Sequence, residues 1–301
     1  MGLDIMNMVG TASCDKQNIY IASLPRSGST LLGMILNQHP SCFNIGESFY
    51  WAKLNPANAT CTCGLKECPI LKHAYEKIKK IPDILSITDT ITEIDSILQT
   101  GDVISRKQIT KVYSEDIIRS CNGFNYLTNI FRKITNRNII IDSSANAVIA
   151  LNLIKHKNWK IIILIRDPRG IICSLKKAAI RHRENIPNDL WRGYVVDFFK
   201  SVNIFYGMDN VILVRYEELC NDPTDTISRI CNFLKITFNA GMLKYRQDKG
   251  HVLMANRMRF GEEDNITQDN SWKNYLSEEE KKIIHNDTEL INVCKKYKYD
   301  M

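Results

Sequence analysis

The sequence predicts an α/β fold: a doubly wound parallel sheet flanked by helices and interrupted by a helical insertion. Three observations point to it. Short runs without charge inside them, above all Lys160-Ile161-Ile162-Ile163-Leu164-Ile165, are apolar on both faces, as central strands of a parallel sheet are. Most such runs are followed by apolar residues at helical spacing. The alternation continues to the C-terminal third without internal repeats, low-complexity segments or Gly/Ser linkers, which reads as one domain over residues 1–301.

The elements follow in order. Residues 19–24 are apolar or small and read as the first strand; Pro25 stops it and Gly28 permits a tight turn. Leu31, Leu32, Ile35 and Leu36 recur at helical spacing, so a helix begins near Ser29 or Thr30. Residues 41–45 read as a second strand with Gly46-Glu47-Ser48 at its carboxyl end, the end at which open parallel sheets bind ligands. Phe49, Tyr50 and Trp51 then either line an acceptor pocket or pack beneath a loop. Residues 71–137 alternate helical patterns (Tyr75, Ile78, Ile81; Ile91, Ile94, Ile97, Leu98) with polar breaks, and read as a helical insertion or lid over an acceptor.

The strand rhythm returns at residues 138–142, followed by Ser143-Ser144 and a helix carrying Leu151, Leu153 and Ile154. Residues 160–165 form the central strand, with a helix from about Gly170 and another bearing Trp191, Tyr194, Val195, Phe198 and Phe199. Residues 211–214 supply a fifth strand. Asp222-Pro223 caps a helix, since Pro is tolerated at the first helical position. Residues 251–267 form a long polar loop, and Ser277-Glu278-Glu279-Glu280 is a capping box opening the last helix.

Composition narrows the function. Lys and Arg number 40 against 33 Asp and Glu, a net charge of +7. That balance suits a polyanionic nucleotide, but no basic run is long enough to argue for nucleic acid. Residues 1–14 lack the basic and apolar regions of a secretory signal. No apolar run approaches the ~18–20 residues needed to cross a bilayer.

The strand, polar turn and helix start around Pro25-Arg26-Ser27-Gly28-Ser29-Thr30 make an anion cradle. Backbone N–H groups and the helix dipole converge there, Arg26 adds a full charge, and Ser27, Ser29 and Thr30 add hydroxyls. The cradle is P-loop-like but lacks the G-x-x-x-x-G-K-[ST] spacing and its Lys, which argues against a magnesium-dependent kinase. A second motif, Arg166-Asp167-Pro168-Arg169-Gly170 with Ser174, puts an Arg at the end of the central strand and a hydroxyl about a turn into the next helix. An Arg fork with a hydroxyl is a second phosphate clamp. Two clamps on one sheet edge imply a ligand phosphorylated at both ends.

These two motifs resemble the 5′-phosphosulfate loop and the 3′-phosphate motif of sulfotransferases that use 3′-phosphoadenosine 5′-phosphosulfate (PAPS). The first, with Asn37-Gln38-His39-Pro40, is most similar to the tyrosylprotein and carbohydrate branches. Residues 214–223, His251, residues 256–260, Ile266, Asp269 and Trp272 extend the resemblance, and the pattern of Cys61, Cys63 and Cys68 also occurs in bacterial members. The resemblance implies sulfuryl transfer from PAPS to a hydroxyl of a small molecule, sugar or tyrosyl acceptor, leaving 3′-phosphoadenosine 5′-phosphate (PAP). It implies Glu47 as general base, Arg26 as the cation at the reacting group, and Arg26, Ser27, Gly28, Ser29, Thr30, Arg166 and Ser174 as nucleotide contacts. Asn256 and Arg259 are candidates for a loop that closes over the nucleotide. No metal is expected in this chemistry. Animal relatives of the carbohydrate and tyrosylprotein branches are usually anchored in the Golgi, so the missing anchor points to a cytoplasmic protein or to one trimmed of its anchor.

Two features stay open. Many relatives read D-S-S-K where this chain reads Asp142-Ser143-Ser144-Ala145, and the Lys is thought to reach the transferring group. An alternative function is therefore a module that binds PAP or PAPS without turnover. The cluster Cys61-x-Cys63-x4-Cys68, with His73 five residues on, is open to packed free thiols, a disulfide or a Cys3His zinc site, whose usual patterns the short first spacing fits poorly.

Overall fold

A computed structural model describes residues 15–48, 51, 60–81, 115–182, 188–253 and 256–300. Its centre is a five-stranded sheet of β1 (Gln17–Ser23), β2 (Cys42–Asn44), β3 (Ile139–Asp142), β4 (Trp159–Ile165) and β5 (Val211–Arg215). The spatial order is β2-β3-β1-β4-β5 and every pairing is parallel, so all five strands expected from sequence are present. Parallel neighbours require crossovers, and these put helices on both faces.

The side-chain period of two sorts each strand between two cores. Ile19, Ile21, Ile139, Ile141, Ile162 and Leu164 point to one face, against α1 (Ser29–Asn37) and a later helix carrying Ile227, Ile230 and Leu234. Tyr20, Ala22, Ile140, Ile161, Ile163 and Ile165 point to the other. Each fully buried Ile or Leu contributes about 1.5–3 kcal/mol, so the middle strands anchor the domain and the sheet edge they end on.

Within the expected insertion, α2 (Pro69–Ile78) and α3 (Glu115–Thr135) are helical, while residues 82–114, including Ile91, Ile94, Ile97 and Leu98, lie outside the described residues. The second of these helices is part of the core: Phe124, Leu127 and Phe131 are buried, and Asn125 accepts the indole N–H of Trp159 at 2.8 Å. Trp51 settles its own alternative. It is buried, donates to the Ile45 carbonyl at 2.8 Å and meets Phe131 edge-on, whereas Phe49 and Tyr50 lie outside the described residues.

Among the described residues the remaining α-helices are α4 (Ala147–Leu153), α5 (Pro168–His182), α6 (Asn188–Val202), α7 (Tyr216–Asn221), α8 (Pro223–Leu234), α9 (Trp272–Tyr275), α10 (Glu278–Asn286) and α11 (Thr288–Lys296). α5 begins at Pro168 rather than near Gly170, because Asp167 accepts the Arg169 N–H at 2.8 Å and Pro168 takes the first helical position. Asp222 and Pro223 start α8 in the same way. The capping box at Ser277 and Glu280 is formed, but the last helix is divided. Asp287 ends α10 and caps α11, accepting from the N–H groups of Glu289 and Leu290 while pairing with Arg192. Among the described residues, no helix is long and apolar enough to cross a membrane.

Candidate active site

A cleft of about 530 Å³ opens at the carboxyl ends of β1, β3 and β4. It is lined on one side by Pro25, Arg26, Gly28, Ser29, Thr30 and Leu31, from the turn between β1 and α1. That turn is closed by the Ser27 N–H on the Leu24 carbonyl at 3.2 Å, and both Arg26 (φ 73°) and Gly28 (φ 99°) are left-handed. Gly28 is required twice over. Its φ disfavours a side chain, and a Cβ there would stand 2.7 Å from the Tyr216 ring. Because Gly28 is also the N-cap, no side chain caps α1, and the first-turn amides border the cleft. An uncapped helix start beside a cationic side chain is a site for an anion.

The second motif meets the first directly. Arg166, at the end of β4, donates from Nη1 to the Arg26 carbonyl at 2.8 Å, and Arg26 Nε donates to Ser174 Oγ at 2.9 Å. The Arg166 guanidinium lies over the Tyr216 ring, 4.5 Å from its centroid. Gly170 makes room for it, since a Cβ there would meet Arg166 Nε at 2.9 Å. The other Arg166 nitrogen pairs with Asp269, donating to its carbonyl at 2.9 Å and its carboxylate at 3.2 Å. Burial opposes ionisation of Asp269, but hydrogen bonds from Ser271 and the Arg166 charge hold it below the ordinary Asp range. Burial, then the nearby charges of Arg181 and Arg166, lower the pKa of Arg26. This end of the cleft therefore sets Arg26 and Arg166, with Arg181 nearby, against the carboxylate of Asp269, a balance that favours a further anion.

Glu47 lines the opposite side. β2 ends at Asn44, the pairing with β3 continues through the Ile45 N–H on the Ile141 carbonyl, and the left-handed Gly46 turns the chain so that Glu47 reaches the cleft. Burial and then the neighbouring Asp142 push the Glu47 carboxyl up to about 7, while the Arg259 charge opposes them. Asp142 is itself pushed up to about 6 by burial, against hydrogen bonds from Ser144 and Ser48. Ser144 and Ala145 line the cleft beside Glu47, and Ala145 is left-handed at φ 57°. Among the described lining residues the cations are Arg26 and Arg166, and there is no lysine.

The nucleotide candidates thus divide. Arg26, Gly28, Ser29, Thr30, Arg166, Ser174 and Asn256 line one cleft with Glu47. Asn256 is held there by its N–H on Thr30 Oγ1 at 3.2 Å. Ser27 does not line it; the residue is buried and its hydroxyl lacks a partner among the described residues. Arg259 does not line it either, donating to the carbonyls of Asn256 and Leu253 with its charge felt at Glu47. Tyr216, Tyr245, Asn265, Thr267 and Asp269 are lining residues to which sequence reasoning gave no role. Tyr216 follows β5 directly, and a strand end at the ligand edge was a signal that could have found it.

A parallel α/β sheet that gathers two guanidinium groups, an uncapped helix start and a raised carboxyl at one edge suits a group-transfer enzyme acting on an anionic donor. The comparisons give the family: the profile described as "Sulfotransferase family" matches residues 18–240, and the chain belongs to that family. Carbohydrate sulfotransferase 1 of Danio rerio is 22% identical over 310 residues, covering 88% of this chain and 74% of the relative. The Homo sapiens protein of the same name is 24% identical over 279 residues, 77% and 67% of the two chains. Among solved structures, the sulfotransferase domain of the curacin biosynthetic pathway superposes with a TM-score of 0.58 at 17% identity, covering 96% of this chain and all of that one. The sulfotransferase domain of the Synechococcus PCC 7002 olefin synthase gives 0.57 at 18% identity, covering 95% and 96%.

Proposed function

We propose that this sulfotransferase moves the sulfuryl group of PAPS onto a hydroxyl of a carbohydrate acceptor, with Glu47 as general base. The observation that carries this reading is the pair of anion clamps facing a half-buried carboxyl raised to about 7 across one cleft. The two relatives named carbohydrate sulfotransferase favour a sugar over a tyrosyl or other small-molecule hydroxyl.

The donor supplies an activated sulfuryl group whose departure leaves a phosphate on PAP. The residues of this chain fit it. Arg166 and Ser174 hold the 3′-phosphate end, and the Arg26 guanidinium, expected at the reacting group, joins them because its Nε donates to Ser174. The amides of Ser29 and Thr30 and the hydroxyls beside them hold the 5′ end and receive the charge that builds on the leaving phosphate. Glu47 takes the proton of the attacking hydroxyl at its carboxylate. A base of this kind is active only when deprotonated, so turnover falls as pH drops through about 7.

The same shift bears on stability. The folded pKa of Glu47 lies above the ordinary value of 4.5, so its contribution is greatest when both states are protonated and is lost as pH rises through about 7. Glu47→Gln is expected to melt higher than the parent at about pH 8, with the difference vanishing below about pH 4.5. Equal melting temperatures at both pH values would show that Glu47 is not strained by its surroundings.

Asp269 occupies part of the Arg166 fork that a 3′-phosphate needs. Asp269→Asn is expected to tighten PAP binding about 2–5-fold by removing a competing negative charge, the scale of a partly exposed ion pair. Titration calorimetry reads this directly, and weaker binding by the variant would instead make Asp269 a support of the site.

The reading without turnover rests on Ala145, which stands at the cleft where many relatives carry Lys. Transfer to a panel of sugars, phenols and alcohols is measured in the parent and in Ala145→Lys. The enzyme reading expects the parent to form sulfated product, with at most a few-fold gain from Lys. A parent inert across the panel and revived by Lys identifies a binding module.

A further inference from the structure

We propose that Cys61, Cys63, Cys68 and His251 form a structural zinc site that ties the loop beginning at residue 250 to the start of α2. The inference is independent of the donor and of the acceptor, and it replaces both the expectation that no metal is present and the pairing of the cysteines with His73.

The four side chains come from three places in the chain, and one ligand atom from each lies within 4.8 Å of all the others. His251 Nδ1 is 3.1 Å from Cys68 Sγ and 3.7 Å from Cys61 Sγ. Zinc bonds of about 2.3 Å to sulfur and about 2.0–2.1 Å to nitrogen give a tetrahedral S···N edge of roughly 3.6 Å. The two observed separations bracket that edge. The three thiols are free rather than paired as a disulfide. Cys61 and Cys68 are buried while Cys63 and His251 are half-buried, and four protein ligands would fill a tetrahedral shell with no position left for a substrate. His73, by contrast, is exposed on α2 and outside the cluster.

The backbone around the cluster is built to hold it. Cys61 to Gly64 is a tight turn closed by the Gly64 N–H on the Cys61 carbonyl at 3.1 Å, with Gly64 left-handed at φ 76°, which brings two thiols to one side. Cys68 is the N-cap of α2, and its sulfur accepts the Leu71 N–H at 3.5 Å, which fixes the thiol at the helix start. Thr62 clamps the His251 strand from both sides: Oγ1 donates to the Gly250 carbonyl at 3.1 Å and accepts the Val252 N–H at 2.9 Å. The His251 ring stacks on Phe43, which follows the first residue of β2. Three thiolates and a neutral imidazole around Zn²⁺ carry one net negative charge, and Arg259 lies within electrostatic reach of Cys61 to balance it. The thiol protons leave to solvent on binding. Five residues beyond His251, Asn256 reaches Thr30 at the cleft, so the metal fixes the root of the loop that borders the candidate nucleotide site.

The test uses the full chain, prepared under reducing, oxygen-free conditions in zinc-supplemented medium. Elemental analysis is expected to find about one zinc per chain, the stoichiometry of a Cys3His site. Cys68→Ser and His251→Ala should each lower that content at least about fivefold, and His73→Ala should leave it unchanged. Because a ligand variant could simply misfold, the parent itself is also exchanged with cobalt(II). A tetrahedral visible spectrum with a thiolate-to-metal charge-transfer band is expected, together with faster hydrogen exchange at Val252 and Leu253 after chelation. A folded parent with less than about 0.2 zinc per chain, a cobalt spectrum without the thiolate band, a disulfide among the three cysteines, or loss of zinc in His73→Ala would each overturn the assignment.

Discussion

Glu47→Gln is expected to lower turnover about 10²–10⁴-fold while leaving PAP affinity within about twofold, the effect of removing a general base from an intact site. The expectation rests on where Glu47 stands. It faces the uncapped start of α1 across the cleft, and burial beside Asp142 brings its carboxyl to about 7. A carboxyl at its ordinary 4.5 would be ionised at neutral pH but a weak proton acceptor; one near 7 is matched to the task. The parent should therefore show an acidic limb in its pH–rate profile near 7, and the variant's residual rate should lose it. Stopped assays across the range from about pH 5.5 to 8.5 read both features. A variant turning over at the parent rate, or a limb that persists in Gln, would move the proton acceptor elsewhere. Asp142 is the neighbour to try next, since it too is raised, to about 6.

Arg166→Ala is expected to weaken PAP about 10–100-fold, the cost of a lost charge-assisted contact of about 1.5–3 kcal/mol. The loss should be much smaller for an analogue without the 3′-phosphate. The geometry makes this residue central. Arg166 supports the Arg26 carbonyl, stacks on Tyr216 and pairs with Asp269, and Arg26 in turn reaches Ser174. Removing it also leaves the Arg26 carbonyl unsupported, so circular dichroism and melting must accompany the calorimetry. Arg166→Lys separates the two effects, because it keeps a charge but loses the fork. Equal losses for PAP and the analogue lacking the 3′-phosphate would mean that Arg166 serves the fold of the loop and not the phosphate.

Much of this was legible because the signals are local. Residues 160–165 are apolar on both faces, and only a central parallel strand buries both. Arg166 at that strand's end and Gly28 at the turn after β1 follow from chain position alone. What was hidden depends on contacts across the sequence. Nothing near Cys68 announces His251, which is 183 positions away and arrives through the Thr62 clamp; the nearer His73 was the natural local choice and is exposed. Tyr216 and Asp269 are 53 positions apart, yet the Tyr216 hydroxyl accepts the Asp269 N–H at 3.1 Å and both residues contact Arg166. Ser27 belongs to a motif of donors, yet the left-handed turn at Arg26 buries its hydroxyl away from the cleft. The division of the last helix at Asp287 also needed a distant partner, Arg192.

Mass spectrometry of one reaction is the direct test of sulfuryl transfer from PAPS to a sugar hydroxyl in this cleft. The parent is incubated with PAPS and a panel of sugars, and PAP and sulfated sugar are quantified in parallel. The expected result is equimolar formation of the two, slowed in parallel about 10²–10⁴-fold by Glu47→Gln, which still binds PAP. PAP bound by the parent with no sulfated product from any acceptor would contradict it, whether or not Ala145→Lys forms any.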